Sequence, residues 1–187
     1  MRMFNKLPRT IYINNKEIIV NTDYRIFVRF EVEMQENDTK KAIRNVLSSF
    51  YPAFLLREGI TNEMVDKFIW FYKCGITEEE EKSLKSNNKA STRARAYDYR
   101  YDSDLIFGAF METYRIDLSR ANLHWWKFKA LLKSLNGNTE FCKIKSYRMY
   151  DGEDKNLLEL KEAYKLPPSK QEIEAEIRRD KLYEALK

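Results

Sequence analysis

Leu123-His-Trp-Trp-Lys-Phe-Lys-Ala-Leu-Leu-Lys-Ser-Leu135 is the stretch on which the fold turns. Leu123, Trp126, Ala130, Leu131 and Leu135 recur at helical spacing and predict one face of an α-helix that Asn136-Gly137 ends. Trp125, Trp126 and Phe128, however, stand at almost consecutive positions, so their rings point around more than half of the helix circumference. One face cannot bury all three. Either the helix is central and packed on both sides, or part of it meets another molecule, where tryptophan is favoured. Upstream, Leu105, Ile106, Ala109, Phe110 and Tyr114 predict a second helix capped by Asp102, Ser103 or Asp104. The short connection between the two predicts antiparallel pairing.

Towards the N-terminus, Thr10-Ile-Tyr-Ile-Asn14 and Lys16-Glu-Ile-Ile-Val-Asn21 read as β-branched strands around Asn14-Asn15, residues that tolerate left-handed turn geometry. A small hairpin is expected. Thr22 or Asp23 can cap a helix from Tyr24 carrying Ile26, Phe27, Phe30 and Met34. Ala42, Ile43, Val46, Leu47 and Phe50 place a further amphipathic helix over 39–50, closed by Pro52. A third runs from the cap Thr61 to the stop Gly75, with Val65, Phe68, Ile69 and Tyr72 on one side and Trp70 and Phe71 beside them. From Thr77 to Ala96 the periodicity breaks into an acidic run, Glu78 to Glu81, followed by mixed charge. That segment reads as a charged linker.

Beyond the central helix, Thr139 starts a short helix with Phe141, Ile144 and Met149, and 157–166 is helical until Pro167-Pro168 stops it. Ser169-Lys-Gln-Glu172 is a capping box opening a C-terminal helix whose apolar residues, Ile173, Ile177, Leu182, Tyr183 and Leu186, are few. The fold class expected is mainly α (α+β): a hairpin and helices over 1–76, a charged linker over 77–96, a second helical lobe over 97–168 and a projecting helix over 169–187.

A chain of 187 residues can bury a core without disulfide staples. Its charged share, 34% against about 25% in ordinary domains, points to a heavily solvated surface. The net charge of +5 comes from basic residues interleaved with acidic ones, which disfavours a nucleic-acid face. No apolar run approaches the roughly 20 residues needed to cross a bilayer, and the N-terminus lacks a signal-peptide core.

Catalytic signatures are missing from the inventory. His124, the single histidine, has no Cys or His partner at ligand spacing and no serine nucleophile motif beside it, so it reads as a structural hydrogen-bonding group within the helix. Cys74 and Cys142 lie far apart and read as reduced thiols. Asp98, Asp102 and Asp104 are the one carboxylate cluster, yet the calcium-loop pattern is absent and helix capping accounts for Asp102 and Asp104. Five glycines leave little room for a phosphate cradle. Arg93, Arg95, Tyr97, Tyr99 and Tyr101 interleave basic and aromatic residues as a single-strand binder would, but the intervening aspartates would repel phosphate. The expectation is a protein with no catalytic set and no cofactor.

Together, Tyr114-Arg-Ile-Asp-Leu118, Leu123-His-Trp-Trp-Lys-Phe128 and Phe141-Cys-Lys-Ile-Lys-Ser-Tyr-Arg148 resemble the bacteriophage gene-product-fifteen family. Leu7-Pro8 before the hairpin, Asn21-Thr-Asp-Tyr-Arg25 and Trp70-Phe-Tyr-Lys-Cys-Gly75 extend the likeness over nearly the whole chain. Members are encoded in the tail modules of siphophages and prophages of Gram-positive bacteria, near the tape-measure gene. The resemblance implies a tail assembly chaperone that binds the tape-measure protein or tail-tube subunits in the host bacterial cytoplasm, with self-association open; the alternative is a structural minor tail or tail-completion component that stays in the virion. Aromatic anchors are expected at Trp125, Trp126 and Phe128, then at Trp70, Phe71 and Tyr72, with Tyr97, Tyr99 and Tyr101 beside the linker. The long 77–96 segment and the extension after Pro168 depart from the family pattern.

Overall fold

The computed structural model describes residues 6–36, 38–57, 59–77, 79–82, 95–170, 172–174 and 177–179. Strands β1 (Thr10–Ile13) and β2 (Lys16–Ile19) pair antiparallel, Ile11 opposite Ile18 and Ile13 opposite Lys16. Asn14 and Asn15 take φ of 48° and 59°, the left-handed turn that the asparagine pair predicts. Alternation sends Ile11, Ile13 and Ile18 inward and leaves Tyr12 and Ile19 on the outer face.

Helices α1 (Tyr24–Met34), α2 (Thr39–Phe50), α3 (Ala53–Leu56) and α4 (Asn62–Tyr72) follow. The carboxylates of Asp23 and Asp38 accept the amides of Arg25 and Lys41, and the Thr61 hydroxyl accepts that of Met64, so each cap satisfies one of its helix's orphan donors. After them come α5 (Ser103–Tyr114), α6 (Trp125–Lys133), α7 (Glu140–Arg148) and α8 (Lys155–Ala163). The 169–172 capping box forms in both directions: Glu172 N–H donates to Ser169 Oγ at 3.2 Å, and Ser169 N–H to Glu172 Oε2 at 2.6 Å.

The stretches expected as two lobes share one core. Phe27 of α1 stacks on Trp125 of α6 at 4.9 Å and on Phe71 of α4 at 5.7 Å, and meets Phe50 of α2 edge-on at 5.8 Å. Phe128 stacks on Tyr24 at 4.5 Å and on Phe110 of α5 at 5.3 Å. One hydrophobic cluster therefore runs from Ile11 to Phe141. Packing of α1 against α2 on one side and α6 on the other makes α1 the shared wall.

Three local expectations need correction. Helix α6 begins at Trp125, not Leu123, and its inward face is Trp125, Phe128 and Leu132, whereas Ala130 is exposed. Helix α5 packs on α7 in place of the expected pairing with α6, which it reaches through the Phe110–Phe128 stack and the Tyr114 hydroxyl on Leu131 O, 2.9 Å. The connection is drawn to α1 instead, by Tyr24 Oη–Leu118 O (2.7 Å) and Arg25 Nη2–Ala121 O (2.6 Å). Within 77–96, residues 79–82 are helical, opened by a second capping box between Thr77 and Glu80. The rest of the expected linker, residues 83–94 including Arg93, lies outside the described residues, as do Leu182, Tyr183 and Leu186.

Candidate functional site

Helix α4 must dispose of four C-terminal carbonyls that have no partner within the helix. Ile69 O accepts Lys73 N–H at 2.9 Å, and Trp70 O accepts Gly75 N–H at 2.8 Å. Phe71 O receives Cys74 N–H at 3.0 Å and the Trp126 indole at 2.8 Å. Tyr72 O receives the Trp125 indole, also at 2.8 Å. Consecutive tryptophans thus complete the end of a helix more than fifty residues away. Cys74 and Gly75 turn through φ of 57° and 71°, and a Cβ at Gly75 would come within 2.8 Å of the Trp126 ring.

His124 fixes the angle at which the tryptophans arrive. Its Nδ1 accepts Trp126 N–H at 3.0 Å as the N-cap of α6, so Nδ1 carries no proton and Nε2–H donates to Pro8 O at 2.8 Å. Burial, with a smaller contribution from Arg9, holds its pKa below the ordinary imidazole value, and the Pro8 contact only partly opposes this. The residues flanking each cap are tied reciprocally: Tyr24 N–H donates to Leu123 O at 3.0 Å and Trp125 N–H to Thr22 O at 2.8 Å. The single histidine is thus the cap of α6 and lies before the helix, contrary to the expectation that placed it inside.

The expected anchors separate into two sets. Trp125, Phe128, Phe71 and Tyr99 are buried in the core. Trp126, Trp70, Tyr72 and Tyr97 are half-buried, and Tyr101 is 53% exposed. Trp126 and Trp70 meet edge-on at 5.6 Å. Tyr97 meets Tyr99 at 5.4 Å and Phe141 at 5.7 Å, which attaches the 97–101 stretch to the core. Burial pushes the Tyr72 and Tyr99 phenols well above their usual range.

The carboxylate cluster is committed elsewhere. Asp102 makes no side-chain cap on α5; its two oxygens are gripped by Arg148 at 2.7 and 2.9 Å, and Oδ2 also accepts Asp98 N–H at 2.8 Å. Asp98 in turn holds Arg95 at 2.7 Å and Arg100 N–H at 2.8 Å. A buried carboxylate needs a partner more than it needs to cap a helix end, and a planar guanidinium meets that need bidentately. Among the described residues no group of His, Cys, Asp or Glu is placed to hold a metal ion.

Of the half-buried set, Trp126 and Tyr97 border a groove of about 540 Å³. Helix α6 supplies one wall with Trp126, Lys129, Ala130 and Lys133, spaced i, i+3, i+4 and i+7, and Phe141 and Lys145 of α7 supply another. Lys129 lies 3.7 Å from Glu31 and over the Trp125 ring. Burial raises the Glu31 carboxyl's pKa, with Lys129 opposing the shift. Lys145 lies over Phe141. Among the described residues neither Lys133 nor Lys145 has a carboxylate within ion-pair distance, and none of those that line the groove is acidic.

A family model described as bacteriophage Gp15 protein matches residues 3–167. The chain belongs to that family. No curated protein and no solved structure matches it. The segments that carry the Gp15 likeness in sequence meet in space: Trp70 to Gly75 receives the two indoles, and Leu123 to Phe128 delivers them. In this Gp15 chain the matched residues also include the whole groove, whereas the helical residues after Ser169 fall outside the match. Sequence reasoning missed Arg148 and the lysine rim. For Arg148 the signal was an arginine closing the motif Phe141 to Arg148; for the lysines it was the recurrence of Lys129 and Lys133 beside Trp126.

Proposed function

We propose that this Gp15 protein is a tail assembly chaperone-like protein that binds the tape-measure protein, tail-tube subunits or both during siphophage tail morphogenesis, without bond chemistry of its own. The observation that carries the reading is a groove with an apolar floor on a protein of a bacteriophage family. A tape measure made before its tube exposes apolar helix faces, and a smaller protein that covers them through helix-in-groove contacts keeps it soluble. The reading places the protein in the host bacterial cytoplasm and leaves the mature virion without it. No helix of the described residues is long and apolar enough to cross a membrane.

A nucleic-acid role for the 93–101 stretch finds less support in the geometry, because Tyr99 is buried and Arg95 is held by Asp98. The test is co-expression of the full chain with the tape-measure protein of the same genome, followed by pull-down. The tape measure should become soluble and co-purify. An insoluble tape measure, or abundant copies of this chain in purified virions, would overturn the transient chaperone reading.

A further inference from the structure

The groove between α6 and α7 also carries information about what kind of segment it takes. Its floor includes Leu132 and Phe141, both buried, with Leu7, Tyr97 and Trp126 around them, so it offers apolar surface to a ligand's apolar side chains. Its volume falls within the range of about 300–1,000 Å³ typical of ligand clefts. Cations stand on both walls: Lys129 and Lys133 are one helical turn apart on α6, and Lys145 faces them from α7. Lys129 is partly neutralised by Glu31, which leaves Lys133 and Lys145 as the charges without a carboxylate among the described residues.

We propose that this groove docks an acidic amphipathic helix of a partner protein, its apolar stripe on the Leu132–Phe141 floor and its flanking carboxylates on Lys133 and Lys145. The inference rests on the protein-binding reading above and narrows it to one surface and one ligand chemistry. A trough whose α6 wall is spaced i, i+3, i+4, i+7 matches the ridge of a third helix. Carboxylates at the rim of such a seat add attraction and orientation while the apolar stripe supplies the buried contact. Nucleic acid fits less well, because Phe141 is buried beneath Lys145 and its ring face is not open for base stacking.

The test is fluorescence anisotropy of the full chain with three labelled probes. One is a synthetic helix with leucines at i, i+3, i+4 and i+7 flanked by glutamates; the second is the same helix with lysines in place of the glutamates; the third is oligo-dT. The glutamate helix should bind saturably and more weakly as salt rises, and the other two should not. Lys133→Glu with Lys145→Glu should weaken binding on the order of tenfold or more, and Ala130→Trp, which fills the trough from an exposed position, should weaken it without reversing charge. Circular dichroism melts of the variants confirm folding. Equal binding of the two helices, no binding of either, preference for oligo-dT, or indifference to the double variant would each overturn the proposal. Co-expression separates the two readings: if wild type and double variant solubilise the tape measure equally, the groove is wrong and the chaperone reading stands. If peptide binding behaves as described but wild type fails to solubilise it, the chaperone reading falls and the groove stands.

Discussion

The two faces of α6 put neighbouring tryptophans to opposite ends. On the inner face, Trp125 and Phe128 are buried among rings from α1, α4 and α5, and buried Leu132 passes beneath the groove as part of its floor. On the outer face, Trp126, Lys129, Ala130 and Lys133 border a groove, and two of these also reach inward, Trp126 through its indole N–H on Phe71 O and Lys129 through Glu31. The difference teaches that an aromatic run can be an interior support with a binding edge. Trp125 and Phe128, expected as anchors, hold the wall in place, and the residues next to them face outward.

Mutations can break that division, beginning with the inner face. Trp125→Ala removes a buried ring and the donor on Tyr72 O, and should cost about 3–5 kcal/mol of stability, read as a shifted urea midpoint. Gly75→Ala should cost about 1–3 kcal/mol, because alanine is strained at φ +71° and its Cβ meets the Trp126 ring; the same denaturation measurement checks it.

His124 tests the seam between the faces. His124→Ala should cost on the order of 1 kcal/mol for the lost cap, and His124→Asn, which retains a capping oxygen, should recover part of it. Since burial lowers the folded-state pKa of His124, the unfolded chain takes up this proton more readily. The stability it contributes is full above the ordinary value of 6.5 and is lost as pH falls through 6.5 towards the lowered folded value. Urea midpoints between pH 7.5 and 5 should therefore fall more steeply for wild type than for His124→Asn. On the outer face, Lys133→Ala should change stability by no more than about 0.5 kcal/mol, and a larger loss would show that the rim is structural.

Elements with local causes were readable from the residues. Asn14-Asn15 announced the hairpin, Asp23, Thr61 and Thr139 their helices, and Ser169 with Glu172 a reciprocal cap. Hairpin turns and caps depend on a few adjacent residues, which is why they could be read. Features built across the chain were not. The Asp102–Arg148 pair joins residues 46 apart, and the indole contacts of Trp125 and Trp126 span 53 and 55. Periodicity says that a face is apolar and not what it meets, so the single core was read as two lobes. His124 misled for a different reason: its ring replaces the Ser, Thr, Asp or Asn that usually signals an N-cap. The groove was legible only in part, through Trp126, because lysines at i and i+4 look like any solvated helix edge.

Lysine-labelling footprints of the chain, alone and in complex with the tape-measure protein, test the central claim most directly. Lys133 and Lys145 should lose reactivity in the complex while Lys40 and Lys155, at the starts of α2 and α8, keep theirs. Unchanged labelling at Lys133 and Lys145 in a stable complex, with protection centred on another surface, would contradict the assignment of the outer face of α6 as the binding face.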